Sequence, residues 1–134
     1  MMSISYTDIY KTLLTKLSGI SGLPSVVYEN RSDAAVDSPY LLVDHTPLIP
    51  SYNTLNSAEA RQDGYLRVEI VCPERSGWAT GYGFLDILVA AFERGTILNS
   101  TGYNIRIVKS YPMPPIKGDG IYEIVFVVKY YAYI

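Results

Sequence analysis

The sequence holds one histidine and one cysteine, and these two residues bound the covalent chemistry open to it. His45 follows Asp44 in a run that reads as a strand. Neighbours in a strand point to opposite faces, so Asp44 is badly placed to orient the imidazole. Cys72 closes the run 64–72, where it shares a face with Leu66, Val68 and Ile70, the setting of a buried structural thiol. A Cys72–His45 nucleophile pair is conceivable because both residues lie near strand ends. A buried thiol and a strand-end histidine are the weightier reading.

Other chemistries find less. One His and one Cys cannot furnish a structural zinc site, and no Asp-x-Asp-x-Asp calcium loop occurs. Asp33 with Asp37, and Asp119 with Glu123, have the spacing of ordinary surface carboxylates. Gly81-x-Gly83 sits inside a helical pattern and Gly118-x-Gly120 opens a strand, so neither is a phosphate-binding loop. No cofactor, metal or catalytic residue is expected, and the chain reads as a non-enzyme.

The elements that hold these residues start with a helix. Ser5 to Asp8 has the form of a capping box, and Tyr6, Ile9, Tyr10, Leu13, Leu14 and Leu17 recur at helical spacing behind it. Ser18-Gly19 ends this helix, and Gly22 with Pro24 prevents its return. Val26–Tyr28 and Tyr40–His45 read as strands on either side of a polar loop. The segment 47–62 carries two prolines and many small polar residues without periodicity, so it reads as a long loop between strands. Loops of that length are functional or disordered.

In the strand 64–72, Leu66, Val68, Ile70 and Cys72 alternate with Tyr65, Arg67 and Glu69, giving one core face and one solvated or partner-bound face. The helix 78–93 places Trp78, Tyr82, Leu85, Val89 and Phe92 along one side. Gly81 and Gly83 each weaken it by about 1 kcal/mol relative to alanine, which suits a first turn held close against another backbone. A strand over 103–109 is stopped by Pro112, Pro114 and Pro115. A terminal strand follows over 121–134, with Tyr122, Ile124, Phe126, Val128, Tyr130, Ala132 and Ile134 on one face. Its length favours lateral contact with another subunit. The order predicts one α+β domain over residues 1–134, a mostly antiparallel sheet packed by two helices.

Composition narrows the partners. At 134 residues and 49% hydrophobic, the chain can bury a core without disulfides. The net charge of −2 and the pI of about 5.3 offer no global attraction for nucleic acid or anionic membrane. The Lys and Arg residues are scattered and not interleaved with aromatics, so no sequence-specific nucleic-acid binding is expected. The first residues lack the basic and apolar stretches of a signal peptide, and no run suits a membrane helix. Folding in the cytoplasm is the expectation. Thirteen tyrosines against three phenylalanines and one tryptophan suit half-exposed strands and protein interfaces.

The order of the second half resembles the small tail terminator proteins of long-tailed bacteriophages. The residues that carry the resemblance are the strand 65–71, Pro73, Gly77-Trp78, the helix to Phe92, Gly95-Thr96, Asp119-Gly120 and Tyr122. The resemblance implies a virion protein, assembled in the cytoplasm of the host bacterium, that caps the tail tube as a ring, typically of six subunits. Such a ring ends tube growth and forms the surface joining the head. The implied partners are further copies of itself, the major tail tube protein and a head-completion protein. Candidate subunit or tube contacts are Leu48, Ile49, Tyr52, Leu55, Arg61, Tyr130, Tyr131 and Tyr133. Two alternatives stay open: another head–tail connector or minor tail component, and a small cytoplasmic enzyme or ligand-binding domain.

Overall fold

A computed structural model of the chain describes residues 6–28, 39–48, 51–52, 60–73, 77–100, 103–118 and 120–133. In chain order the elements are α1 (Tyr6–Ser18), β1 (Ser25–Tyr28), β2 (Tyr40–Pro47), β3 (Ser51–Tyr52), β4 (Ala60–Pro73) and α2 (Gly77–Ala91). Then follow β5 (Ile97–Ser100), β6 (Tyr103–Pro112), β7 (Ile116–Gly118) and β8 (Ile121–Tyr133). The strands form one sheet in the order β1-β2-β4-β8-β6-β5, with β3 beside β4 and β7 beside β8. Every pairing is antiparallel except β1 with β2. The expected α+β architecture is the one observed.

Strand β8 is the spine. It pairs with β4 along its whole length, from Arg61 opposite Tyr133 to Pro73 opposite Ile121. Its other edge is taken by β6 and, nearer its start, by β7. The alternation read from the sequence holds: Tyr122, Ile124, Phe126, Val128, Tyr130 and Ala132 are all buried on the helix-bearing face, opposite Leu66, Val68, Ile70 and Cys72 of β4. Onto this face α1 places Ile9, Leu13 and Leu17, and α2 places Leu85, Leu88 and Phe92. Tyr6 was expected among the inward residues of α1 but is exposed. Ser5, the expected cap, lies outside the described residues.

A bulge between Ile107 and Lys109 changes the phase of β6. Ile105 and Ile107 face the core, whereas Lys109 and Tyr111 pair with Lys129 and Val127 on the outer face. Ser110 thereby turns towards α2, where its hydroxyl donates to the Phe92 carbonyl at 2.9 Å and satisfies an end-of-helix acceptor. Gly95 leaves the helix with φ of 88°, and its amide donates to the Ile107 carbonyl at 2.8 Å.

Two expectations need correction. The first is the face of α2. Its buried side is Gly81, Leu85, Leu88 and Phe92, with Phe84 and Ala91 partly covered, while Trp78, Tyr82 and Val89 are exposed. A β-carbon at Gly81 would lie 2.9 Å from Ile124 Cδ1, so the close approach is to side chains of the sheet. Gly83 faces open space. The second correction is the loop 47–62. Pro47 still pairs with Gly64, β3 pairs Ser51 and Tyr52 with Arg61 and Ala60, and β4 begins at Ala60. The segment thus carries strand at both ends. Residues 49–50 and 53–59 lie outside those described.

Candidate functional site

His45 points into the core from β2, on the same face as Leu41 and Val43. Its ring stacks on Tyr10 of α1 at 5.1 Å between centroids and 7° between planes, and on Tyr130 of β8 at 5.7 Å and 24°. His45 Nε2 and the Tyr130 hydroxyl share a hydrogen bond. Asp44 accepts the backbone amide of His45 at 2.9 Å, not the ring. Burial pushes the imidazole below its ordinary pKa, with nearby Asp44 opposing that shift. The assembly ties α1 to the sheet, and the neutral ring is the form it favours.

Cys72 is remote from it. His45 pairs with Leu66, and Cys72 lies six residues further along β4, about 20 Å in extended chain. Burial raises the Cys72 thiol above its ordinary pKa, which keeps it protonated and weakly nucleophilic. A Cys72–His45 pair is excluded by strand register.

The candidate contact residues separate into three groups. Arg61, Tyr131 and Tyr133 meet on the outer face of the sheet. The Arg61 guanidinium lies 4.0 Å from the Tyr131 ring centroid, and the Tyr131 and Tyr133 rings are 5.5 Å apart. Arg61 also forks onto Asp63, with Nε–Oδ1 at 2.7 Å and Nη2–Oδ2 at 3.3 Å. Leu48 is exposed, and its backbone is fixed by Leu48 N–H to Asp63 O at 2.9 Å and by the buried Gln62, whose Nε2 donates to Leu48 O at 2.6 Å. Tyr52 contributes backbone pairing to β3, and Ile49 and Leu55 lie outside the described residues.

Tyr130 stands apart and is a correction. It is 0% exposed, held between His45 and the space above Gly64, and cannot offer a surface. Its even position on β8 carries the signal, since every residue of that phase faces the helices.

The outer face has further order around Tyr40. Burial raises its phenol pKa, with Glu123 and Glu69 adding to the rise. Arg67 bridges Glu69 at 3.1 Å, and Lys129 lies 5.9 Å from the Tyr65 ring centroid. Partly exposed pairs of this kind contribute little stability. Their ordered rows nevertheless give the outer face a mixed, aromatic-rich character suited to contact.

A surface that the sequence pattern grouped on one side with Leu85 and Phe92 lies on the exposed side of α2. Trp78 is 66% exposed and meets Tyr82 edge-on at 5.9 Å, with Val89 continuing the exposed line. Asp86 is the sole charged residue of the helix and is also exposed. A helix so apolar on both sides is the signal, because a helix on a sheet needs only one apolar face.

On this fold the chain defines a small sheet-and-helix domain with exposed or half-exposed aromatic residues on both sides. The family described as phage tail terminator protein matches residues 8–130, so the chain belongs to that family, one of structural tail proteins rather than enzymes. No curated protein matches the sequence. Among solved structures, one chain matches with a TM-score of 0.75 and 19% identity, over 97% of this chain and 96% of that one. A chain from the virion of a native gene transfer agent particle matches with a TM-score of 0.65 and 12% identity, over 97% of this chain and 100% of that one. At these identities the two structures speak for the fold.

Proposed function

We propose that this protein caps the phage tail tube as a ring of several copies, ends tube growth and forms the surface to which the head joins. Membership of the tail terminator family over residues 8–130 is the observation that carries the reading. The fold neighbour from a gene transfer agent virion is consistent with it, since a chain of this shape there belongs to an assembled particle. The exposed stripe of α2 and the Arg61–Tyr131–Tyr133 cluster supply two distinct faces, as a ring that also grips a tube requires. The partners are other copies, the major tail tube protein and a head-completion protein, and the place is the head-proximal end of the virion tail after assembly in the host cytoplasm. Leu48, Ile49, Tyr52, Leu55, Arg61, Tyr131 and Tyr133 are the proposed tube or subunit contacts.

The test is tail length in particles assembled without this protein. Tubes of uncontrolled length support the reading. Tails of normal length with leaking heads would assign the chain to head completion instead.

A further inference from the structure

The molecule carries an exposed apolar ridge on one helix and a groove with a net positive lining beside the other. The ridge is the exposed side of α2, Trp78, Tyr82, Asp86 and Val89, about 16 Å long at helical rise. The groove, about 640 Å³, lies between α1 and β5. Its α1 wall runs from Asp8 to Lys16, about 12 Å, and bears Lys11 and Lys16; Ile97 supplies an exposed apolar patch on the β5 wall. Thr12 and Thr15 donate their hydroxyls back to the helix carbonyls of Asp8 and Lys11 at 2.7 and 2.8 Å, so these two groups demand no polar ligand.

Position separates the two surfaces. α2 begins over Cys72, Tyr122 and Ile124, at the start of β8. β5 pairs through Asn99 with Asn104, which pairs with Tyr133 at the far end. The strand between Tyr122 and Tyr133 spans about 36 Å in extended form. The Trp78 end of the ridge is thus remote from the groove, and α2 is held to the sheet by its opposite side, so the ridge cannot fill the groove of its own subunit.

We infer that the α2 ridge of one subunit docks in the α1–β5 groove of the next, with Val89 against Ile97 and Asp86 facing Lys11 and Lys16. The occupant is a second copy because the pieces complement each other: a ridge whose sole charge is acidic, and a groove whose two lysines outweigh Asp8 and which carries an apolar patch. Such a head-to-tail contact uses different patches on its two sides, so repetition closes a ring when the rotation allows. This inference rests on the ring reading and names the surface that builds it.

Cysteine crosslinking on isolated tails tests it, since Cys72 is buried and silent. Thr15→Cys and Val89→Cys in the same chain are expected to give a ladder of linked subunits under mild oxidation, and each alone none. Asp86→Lys added to that chain should cut the ladder by on the order of tenfold. Further addition of Lys11→Glu and Lys16→Glu should restore it. Dimers from Val89→Cys alone would mean a symmetric contact and overturn the inference. A link from position 89 to the tube protein would give the ridge a different occupant and also overturn it. No ladder from a protein still present on tails would remove this surface while leaving the capping function intact. Wild-type protein missing from tails would instead strike at the function.

Discussion

Gly64 and Tyr130 face each other across β4 and β8, and the tyrosine ring fills the space that a side chain at position 64 would need. A β-carbon there would lie 2.7 Å from Tyr130 Cζ. Glycine in a central strand is weak by itself, so its presence here follows from the ring above it. The ring in turn holds His45, which stacks on Tyr10, and a run of three rings joined by two stacking contacts thus begins at a missing side chain.

Gly64→Ala is therefore expected to lower stability by about 1–3 kcal/mol, the usual cost of overpacking. In a Tyr130→Ala background the same substitution should cost at least about 1 kcal/mol less. Urea denaturation of the four proteins measures the coupling. Equal losses in both backgrounds would show that the ring and the glycine are independent.

Stability should fall with acid through His45. Its pKa is lowered in the folded protein, so below the ordinary value of 6.5 the unfolded chain takes up a proton that the folded one refuses. Stability from this group is complete above about pH 6.5 and is lost as pH falls from there towards the depressed folded value. Thermal unfolding between pH 7.5 and 5.5 should show a slope smaller than one proton, and His45→Phe should flatten it. A slope unchanged in His45→Phe would place the titration elsewhere.

The two glycines of α2 should respond differently. Gly83→Ala adds a methyl group in open space and removes a helix-weakening residue, so stability should rise by about 0.5–1 kcal/mol. Gly81→Ala meets Ile124 Cδ1 at 2.9 Å, and the isoleucine must move to admit it. The gain should shrink or reverse. Urea midpoints at unchanged slope read both, and equal gains would mean that the sheet gives way freely.

Two large aromatics, Trp78 in the first turn of α2 and Phe92 just past its last residue, should differ still more. Phe92 is fully buried and packs on Phe126 at 6.4 Å, so Phe92→Ala should cost about 3–5 kcal/mol. Trp78→Ala should change the stability of the free subunit by less than about 0.5 kcal/mol, because most of its surface is already in water. A large loss at Trp78 would reveal packing that its exposure does not suggest.

What the sequence made legible was alternation. Residues 122 to 132 of β8 and 66 to 72 of β4 announce their buried face by period alone, because one side is apolar and the other carries Glu123, Lys129, Arg67 and Glu69. α2 broke the method for a physical reason. Apolar residues surround it, and one of the positions against the sheet is Gly81, which hydrophobicity cannot register as buried. Tyr130 was misassigned by type, since tyrosine suits surfaces, although its position marked it as core. The two-residue pairing of β3 and the bulge at Val108 depend on register with distant strands, which no local window contains. Arg61 and Tyr131 do come together, seventy residues apart in sequence, through that same register.

The position of β8 sets an order on folding. β4 and β6 never pair with each other; each has one edge reserved for a strand translated after both. While residues 121–133 are still unmade, the emerging chain presents two open edges, one of them thirteen residues long in its final pairing. Local hairpins such as β5–β6 can close early, but the sheet itself closes in a single late insertion across long loops. During synthesis the nascent protein is thus most vulnerable to pairing with a neighbouring copy just before it becomes competent to assemble with one properly.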